Sequence, residues 1–310
     1  MCAESEELKR FLDKTWQVFH IDPDSRESVN SESVVDFFKQ SDRYHAFDLA
    51  GGAIHWALNF DGVFRKGGYY EQARIVGKSV RELGAKRVLE FGSGRGFNSV
   101  ILARREPSVE FIGIDLIPLH VSQAQETAQQ ISNVRFHVGD SQALGMAAGT
   151  FDLVFDVDSI EYATDARLAL TEAYRVLRPD GRFVLFDHFR KPGFEQREVD
   201  VQTASKLVER ALAYCQLWVV DTWLAVAREI GFTEIEVRDL SDATMPHLKT
   251  LQTFARAFFK YPRLARAILR FVPPLTLGSL VAGLLMPFTV RAGAHGYYMI
   301  VLGRPRESEG

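Results

Sequence analysis

VLEFGSGRGFN, residues 88–98, decides how the rest of the chain reads. A β-rich run passes into three alternating glycines, Gly92, Gly94 and Gly96, with Ser93 between the first two, and then into a helical pattern. A strand that must bend sharply into a helix and let a ligand approach its backbone needs glycine there. A glycine loop alone says little, but acids flank this one. Asp115 closes the next β-rich run, 19 residues beyond Gly96 (115 − 96). A carboxylate at that distance can accept from both hydroxyls of a ribose. A dinucleotide fingerprint starting at Gly92 requires glycine at position 97, where Phe97 stands and obstructs a pyrophosphate. Glu90 has the wrong charge for a diphosphate and suits a ligand that carries an ammonium group.

Outward from this turn, short β-rich runs alternate with helical ones. Strands are predicted over 87–92, 109–116, 133–140, 151–157 and 182–189, and helices over 97–105, 119–132 and 165–177. Such alternation gives a parallel sheet covered on both faces. Helices over 194–213 and 217–230, a strand over 233–240, a mostly helical stretch 241–294 and a last strand over 296–304 follow. Before the core, Leu8, Phe11, Leu12, Trp16 and Phe19 stripe a helix over 4–20, and Val34, Val35, Phe37 and Phe38 mark another near 31–40. Between these helices and the core lies an irregular aromatic stretch from Tyr44 to Tyr70, holding His45, His55, Trp56, Gly51-Gly52 and Gly67-Gly68. The expected fold is α/β: a Rossmann-like, seven-stranded, mostly parallel sheet with helices on both faces and a helical cap. Residues 1–80 would form the cap, 81–240 the cofactor-binding core, 241–294 a helical lid, and 295–310 the last core strand and tail.

Composition narrows the function. The 310 residues are 46% hydrophobic with a net charge of −3, which fits a globular chain and not the basic excess of a nucleic-acid binder. Cys2 and Cys215 are the only cysteines, too few for a disulfide framework. No His/Cys/Asp cluster shows metal-ligand spacing, so no metal is expected. The acidic start MCAESEELKR lacks a basic n-region and an apolar h-region, so a cytoplasmic location is expected. Residues 271–290 carry no charge, but Pro273, Pro274 and Pro287 leave only 275–286 uninterrupted. That is roughly 18 Å of helix against a hydrocarbon core of roughly 30 Å. A lid or interfacial helix is expected there. It follows a run of basic residues (Lys249, Arg256, Lys260, Arg263, Arg266, Arg270) interleaved with Leu251, Phe254, Phe258, Phe259, Leu264 and Ile268. That run reads either as a solvated helix with a core face or, with 249–290 as a whole, as peripheral membrane contact.

Residues 87–190 resemble the class I S-adenosylmethionine-dependent methyltransferases of the small-molecule type. VLEFGSGRG is similar to their glycine motif, IGID ending at Asp115 to their ribose-binding acid, and VGDSQAL with Asp140 and Ser141 to their adenine-contacting segment. FDLVFDVDSIEYATD and EAYRVLRPDGRFVLFD are similar to the motifs that follow. The resemblance implies S-adenosylmethionine as cofactor: a ribose, an adenine, an ammonium and a sulfonium without phosphate. It implies that Asp140 accepts from the adenine amino group, that Leu116 packs on the ring, and that Asp156 lines the methionine end. More weakly, the tail ending YYMIVLGRP looks like the sterol, tocopherol and phosphoethanolamine methyltransferases. In the last of these a GG-containing segment covers the cofactor, which implies that role for Gly68 and Tyr69. An Asp and a His do acid/base work after the fourth strand in that group; the matching positions here are Asp158 and Tyr162, so the histidine is not kept.

His188, at the carboxyl end of a predicted strand, is the candidate general base. Tyr162 is a candidate substrate contact, and His55 and His295 lie in segments that could form the pocket wall. The Phe- and Leu-rich cap implies a hydrophobic small-molecule acceptor of terpenoid, polyketide, quinone, sterol or fatty acyl type. A monomer or a homodimer both fit. Two other readings stay open: a nicotinamide-dependent oxidoreductase, and an S-adenosylmethionine-binding protein with another activity or a lipid-surface role.

Overall fold

The computed structural model describes residues 3–19, 30–42, 52–269 and 274–306. Tyr44, His45, Gly51, Arg270 and Pro273 lie outside the described residues. Seven strands form one sheet: β1 (Arg87–Phe91), β2 (Glu110–Asp115), β3 (Val134–Val138), β4 (Phe151–Val157), β5 (Leu177–Arg190), β6 (Thr233–Asp239) and β7 (His295–Gly303). Their order is β3-β2-β1-β4-β5-β7-β6. All pairings among the first five are parallel, and β7 runs antiparallel between β5 and β6. The chain order reverses between β1 and β4, which opens a crevice at the carboxyl ends of those strands.

Both faces of the central strands β1, β4, β5 and β7 are largely buried, as continuous apolar strands require, while the edge strand β6 is exposed along its length. One face carries Val88, Phe111, Leu153 and Val184 against helices α3 (Glu71–Leu83), α4 (Phe97–Arg105) and α5 (Pro118–Thr127). The other carries Leu89, Ile114, Val154 and Leu185 against α6 (Ala166–Val176) and α8 (Val220–Ile230). Local chemistry sets the ends: Asp165 caps α6 by accepting from the Arg167 and Leu168 amides, and Gly84 closes α3 at φ 59°.

A separate helical layer stands over one end of the sheet. It joins α1 (Ala3–Phe19), α7 (Val199–Ala211), α9 (Ser241–Phe258), α10 (Pro262–Leu269) and α11 (Pro274–Arg291) around Phe11, Leu207, Leu248, Phe259, Leu285 and Phe288. The cap thus draws on α7 as well as on the two ends expected. The proline-bounded run behaves differently from expectation. α11 continues through Pro287, and residues 281–290 are all buried, so this part is a core helix and not an interfacial one. A proline inside a helix frees the carbonyls before it. The carbonyl that loses its helical donor to Pro287 is that of Gly283; the neighbouring Leu284 carbonyl accepts from Gln252 Nε2 at 2.9 Å, a bond that ties α9 to α11 here. Among the described residues no helix is long and apolar enough to cross a membrane.

The Gln252 bond carries a stability prediction. Gln252→Leu should lower the free energy of unfolding by about 1–3 kcal/mol, because a buried carbonyl loses its donor. Phe254→Ala, at an exposed position two residues on, should change it by less than about 0.5 kcal/mol. Urea denaturation of both variants beside the parent protein checks this.

Candidate active site

The crevice at the β1–β4 reversal is a cleft of about 620 Å³, partly open to solvent. Gly92, Ile114, Asp115, Leu116, Ile117 and His120 form one wall; Gly139, Asp140, Ser141 and Gln142 form another. Asp158, Ser159, Tyr162 and Ala163 close the far end, and Val34 and Phe38 of α2 (Ser31–Asp42) cover it with Ile54.

The glycine turn is built as its sequence requires. Gly92, Gly94 and Gly96 take φ of 55°, 51° and 81°, in the left-handed region. A β-carbon on Gly92 would stand 2.1 Å from that of Ser159, and one on Gly94 2.8 Å from Ile54. Ser93 lies behind the turn, its amide donating to the Ile114 carbonyl at 2.8 Å. Asp115 is the centre of the arrangement. Its Oδ2 accepts from the Gly94 amide at 2.8 Å and its Oδ1 from the Ile117 amide at 2.9 Å. Each carboxylate oxygen retains accepting capacity toward the cleft. Asp140 Oδ1 accepts from the amide of Gln142 at 2.9 Å and from its Nε2 at 3.1 Å; the Gln142 Oε1 in turn accepts from Thr164 and Asp165.

Several expected cofactor residues stand elsewhere. Glu90 lies behind the turn, where Ser99 Oγ donates to it at 2.5 Å and Asn98 Nδ2 at 3.3 Å. Burial pushes its carboxyl up to about 8, and Ser99 and Asn98 tie it to the start of α4. Asp156 is fully buried and accepts from the Ser159 hydroxyl and amide, one layer beneath the cleft. Gly68 and Tyr69 sit in the 3₁₀ turn Lys66–Tyr70, away from the cleft. A β-carbon on Gly68 would press on the Leu58 carbonyl, while Tyr69 Oη meets His247 Nε2 at 3.1 Å. The cover comes from Val34, Phe38 and Ile54 instead. Their apolar spacing was visible, but nothing local showed which face of the sheet α2 would reach.

Of the candidate catalytic residues, Asp158 and Tyr162 reach the cleft and His188 does not. Asp158 adopts φ 54° and accepts from the Trp56 amide at 2.9 Å. Burial keeps the Tyr162 hydroxyl protonated. Tyr162 is the first ring of an aromatic run that leads inward: its centroid is 5.1 Å from Phe38 and 5.5 Å from Tyr214. His188 lies at the inner end, 4.8 Å from Tyr297 and 5.6 Å from Trp56. Burial holds its imidazole neutral, well below the usual range, so it is a poor general base. His55 bonds the Tyr69 carbonyl, and His295 sits between Thr289 and Glu209, so neither lines the cleft.

The cleft lining contains three carboxylates and, among the described residues, no lysine or arginine. That donor set suits a nucleoside with positive charge and no phosphate. Residues 83–238, just over half of the chain, match the family described as methyltransferase domain. The chain belongs to the class I S-adenosylmethionine-dependent methyltransferases. Its cofactor is S-adenosylmethionine. Asp115 would hold the ribose, Leu116 and Asp140 the adenine, and the Gly92 turn with Asp158 and Ser159 the methionine end.

Among similar proteins, the S-adenosyl-L-methionine-dependent Diels-Alderase iccD of Talaromyces variabilis is 28% identical over 231 residues, covering 70% of this chain and 74% of that one. A demethylmenaquinone methyltransferase of Thermus thermophilus is 35% identical over 107 residues, covering 34% of this chain and 49% of its own length, so the match spans about half of that relative. The crystal structure of the [4+2]-cyclase SpnF superposes with a TM-score of 0.71 at 19% identity, covering 90% of this chain and 98% of that one; this likeness shows the fold.

Two predictions follow from the geometry of this methyltransferase cleft. Asp115→Ala should weaken S-adenosylhomocysteine binding by about 2–3 kcal/mol, read by titration calorimetry, since a charge-assisted acceptor is lost. The second concerns pH. The Glu90 carboxyl is raised from 4.5 to about 8 in the folded chain, so between those values the folded state holds a proton that the unfolded state has released. Stability should therefore fall as pH rises through that window. Melting temperatures of cofactor-free protein from pH 5 to 9 should fall less steeply in Glu90→Gln than in the parent.

Proposed function

We propose that the chain transfers a methyl group from S-adenosylmethionine to a hydrophobic small molecule. The observation that carries this reading is the aromatic run inward from the far end of the cleft. Tyr162 lines the cleft and packs on Tyr214, and Tyr214, Trp56 and Tyr297 gather round His188 close to Asp158 beneath the helical layer, apolar packing beside which an apolar acceptor would sit. When bound, the cofactor supplies an already electrophilic methyl group. The chain's task is then to align the acceptor, exclude water with Phe38 and Ile54, and stabilise positive charge with ring faces and carboxylates. No well-placed base is needed for an acceptor that reacts without losing a proton first.

A second reading has one observation behind it: the relative that covers 70% of this chain bears the name of a Diels-Alderase and not of a methyltransferase. In that case the same aromatic run would fold a polyene for cyclisation, with S-adenosylmethionine retained. One incubation separates the two readings. Methyl-labelled S-adenosylmethionine is supplied with terpenoid, quinone, sterol, polyketide and fatty acyl acceptors, and products are read by mass spectrometry. The first reading expects a labelled product heavier by one methylene. An unlabelled product isomeric with its substrate would instead establish cyclisation.

Membrane contact, in this proposal, narrows to α9 and α10. Phe254, Tyr261, Leu264 and Ile268 are exposed there among the exposed Lys249, Lys260 and Arg263. An apolar acceptor could reach the cap from an anionic lipid surface at that place. Sedimentation with anionic but not with neutral vesicles, lost in Lys260→Glu/Arg263→Glu, is the expected outcome.

A further inference from the structure

Beneath the aromatic run the fold gathers a set of donors that the linear sequence keeps apart. Asp158 and Glu161 come from the segment after β4, and Asp187 and His188 from the carboxyl end of β5. One ligand atom from each lies within 4.8 Å of every other. Glu161, Asp187 and His188 are buried, and Asp158 borders the cofactor cleft. The amides of Ile160 and Glu161 donate to Asp187 Oδ2 at 3.1 and 3.2 Å, and that of His188 to Oδ1 at 2.6 Å, which fixes this carboxylate in the cluster.

Two features separate this from an ordinary acidic patch. Glu161 is only 3% exposed, yet its Oε2 has no hydrogen-bond partner among the described residues. Nor does any lysine or arginine there form an ion pair with these three carboxylates. Two carboxylates withdrawn from water, with the half-buried Asp158 beside them and no counter-charge, are costly, and a buried charge is ordinarily paired or bound to a metal. Four donors around one ion at about 2.0–2.2 Å lie roughly 3–4 Å apart, close to the spacing observed. Three oxygens with one imidazole nitrogen suit a first-row divalent cation such as Mn²⁺, Fe²⁺ or Zn²⁺.

We propose that Asp158, Glu161, Asp187 and His188 form a binding site for a divalent cation, sharing Asp158 with the cofactor cleft. The cation would neutralise the buried acids and set a fixed positive charge beside the acceptor end of the cleft, where it favours an acceptor that presents an oxygen. Its binding requires neither methyl transfer nor cyclisation, so it can be tested without knowing the acceptor.

The test uses the full chain, stripped with chelator and titrated with Mn²⁺, Mg²⁺ and Zn²⁺ separately. Bound metal is read by mass spectrometry after dialysis, and Mn²⁺ also by electron paramagnetic resonance. One tightly held Mn²⁺ or Zn²⁺ per chain is expected, bound at least about 10–100-fold more weakly by Glu161→Gln and Asp187→Asn. Glu161→Gln keeps the side-chain shape, and its unchanged circular dichroism and S-adenosylhomocysteine affinity would show that the loss is not unfolding. The absence of saturable binding by the parent protein for all three ions overturns the proposal. Equal binding by folded Glu161→Gln overturns it too.

Discussion

One carboxylate ties together the parts of this chain that meet its cofactor. Asp115, at the end of β2, accepts from the Gly94 amide of the neighbouring strand's turn and from the Ile117 amide of its own. Because both amides belong to tight bends, the two contacts set the separation of the loops after β1 and β2. They also leave the carboxylate edge facing a crevice that the strand order opens. The glycines follow from this constraint: a side chain at Gly92 or Gly94 would strike Ser159 or Ile54. A diphosphate would meet Asp115, Asp140 and Asp158 with no lysine or arginine in the described lining to offset them. A positively charged nucleoside meets none of those penalties.

The helical layer extends that cleft without sharing its origin in the chain. Its helices come from both ends of the sequence and from α7, and they enclose an apolar centre independent of either face of the sheet. Where α9 meets the sheet, His247 bonds Tyr69 and the Ala57 amide, linking the cap to the segment that precedes the core. The region between cofactor and cap is therefore both aromatic and acidic. Trp56, Tyr162, Tyr214 and Tyr297 surround Asp158 and Asp187, whose carboxyls burial and mutual repulsion hold well above the usual range. Such a place favours positive charge, whether on an ion or on the methyl donor.

Much of this was legible in the sequence, and for identifiable reasons. Period, turn chemistry and motif order located all seven strands, because each strand is buried on both faces or ends in a glycine or an acid. The place of Asp115, Leu116, Asp140 and Ser141 in the cleft lining was legible because it depends on position at or just past a strand end. What failed depends on packing between distant segments. Gly68-Tyr69 looked like a cover, but the cover is α2, whose Val34 and Phe38 differ in no local way from other apolar pairs. Glu90 read as a ligand group because its partners Asn98 and Ser99 lie eight and nine residues on, past the glycine turn, where only the fold turns them inward. Pro287 read as a helix breaker, yet α11 continues through it within the buried centre of the helical layer. The cluster at Asp158, Glu161, Asp187 and His188 has no linear signature, since two parallel strands bring it together.

Amide hydrogen exchange with and without S-adenosylhomocysteine tests the central claim most directly. If Asp115 and the glycine turn form the nucleoside site beneath α2, exchange should slow over 92–97, 114–118, 139–142 and 34–38 while 66–70 stays unchanged. Protection of 66–70 with no change at 114–118, or equal protection by NAD, would contradict the account.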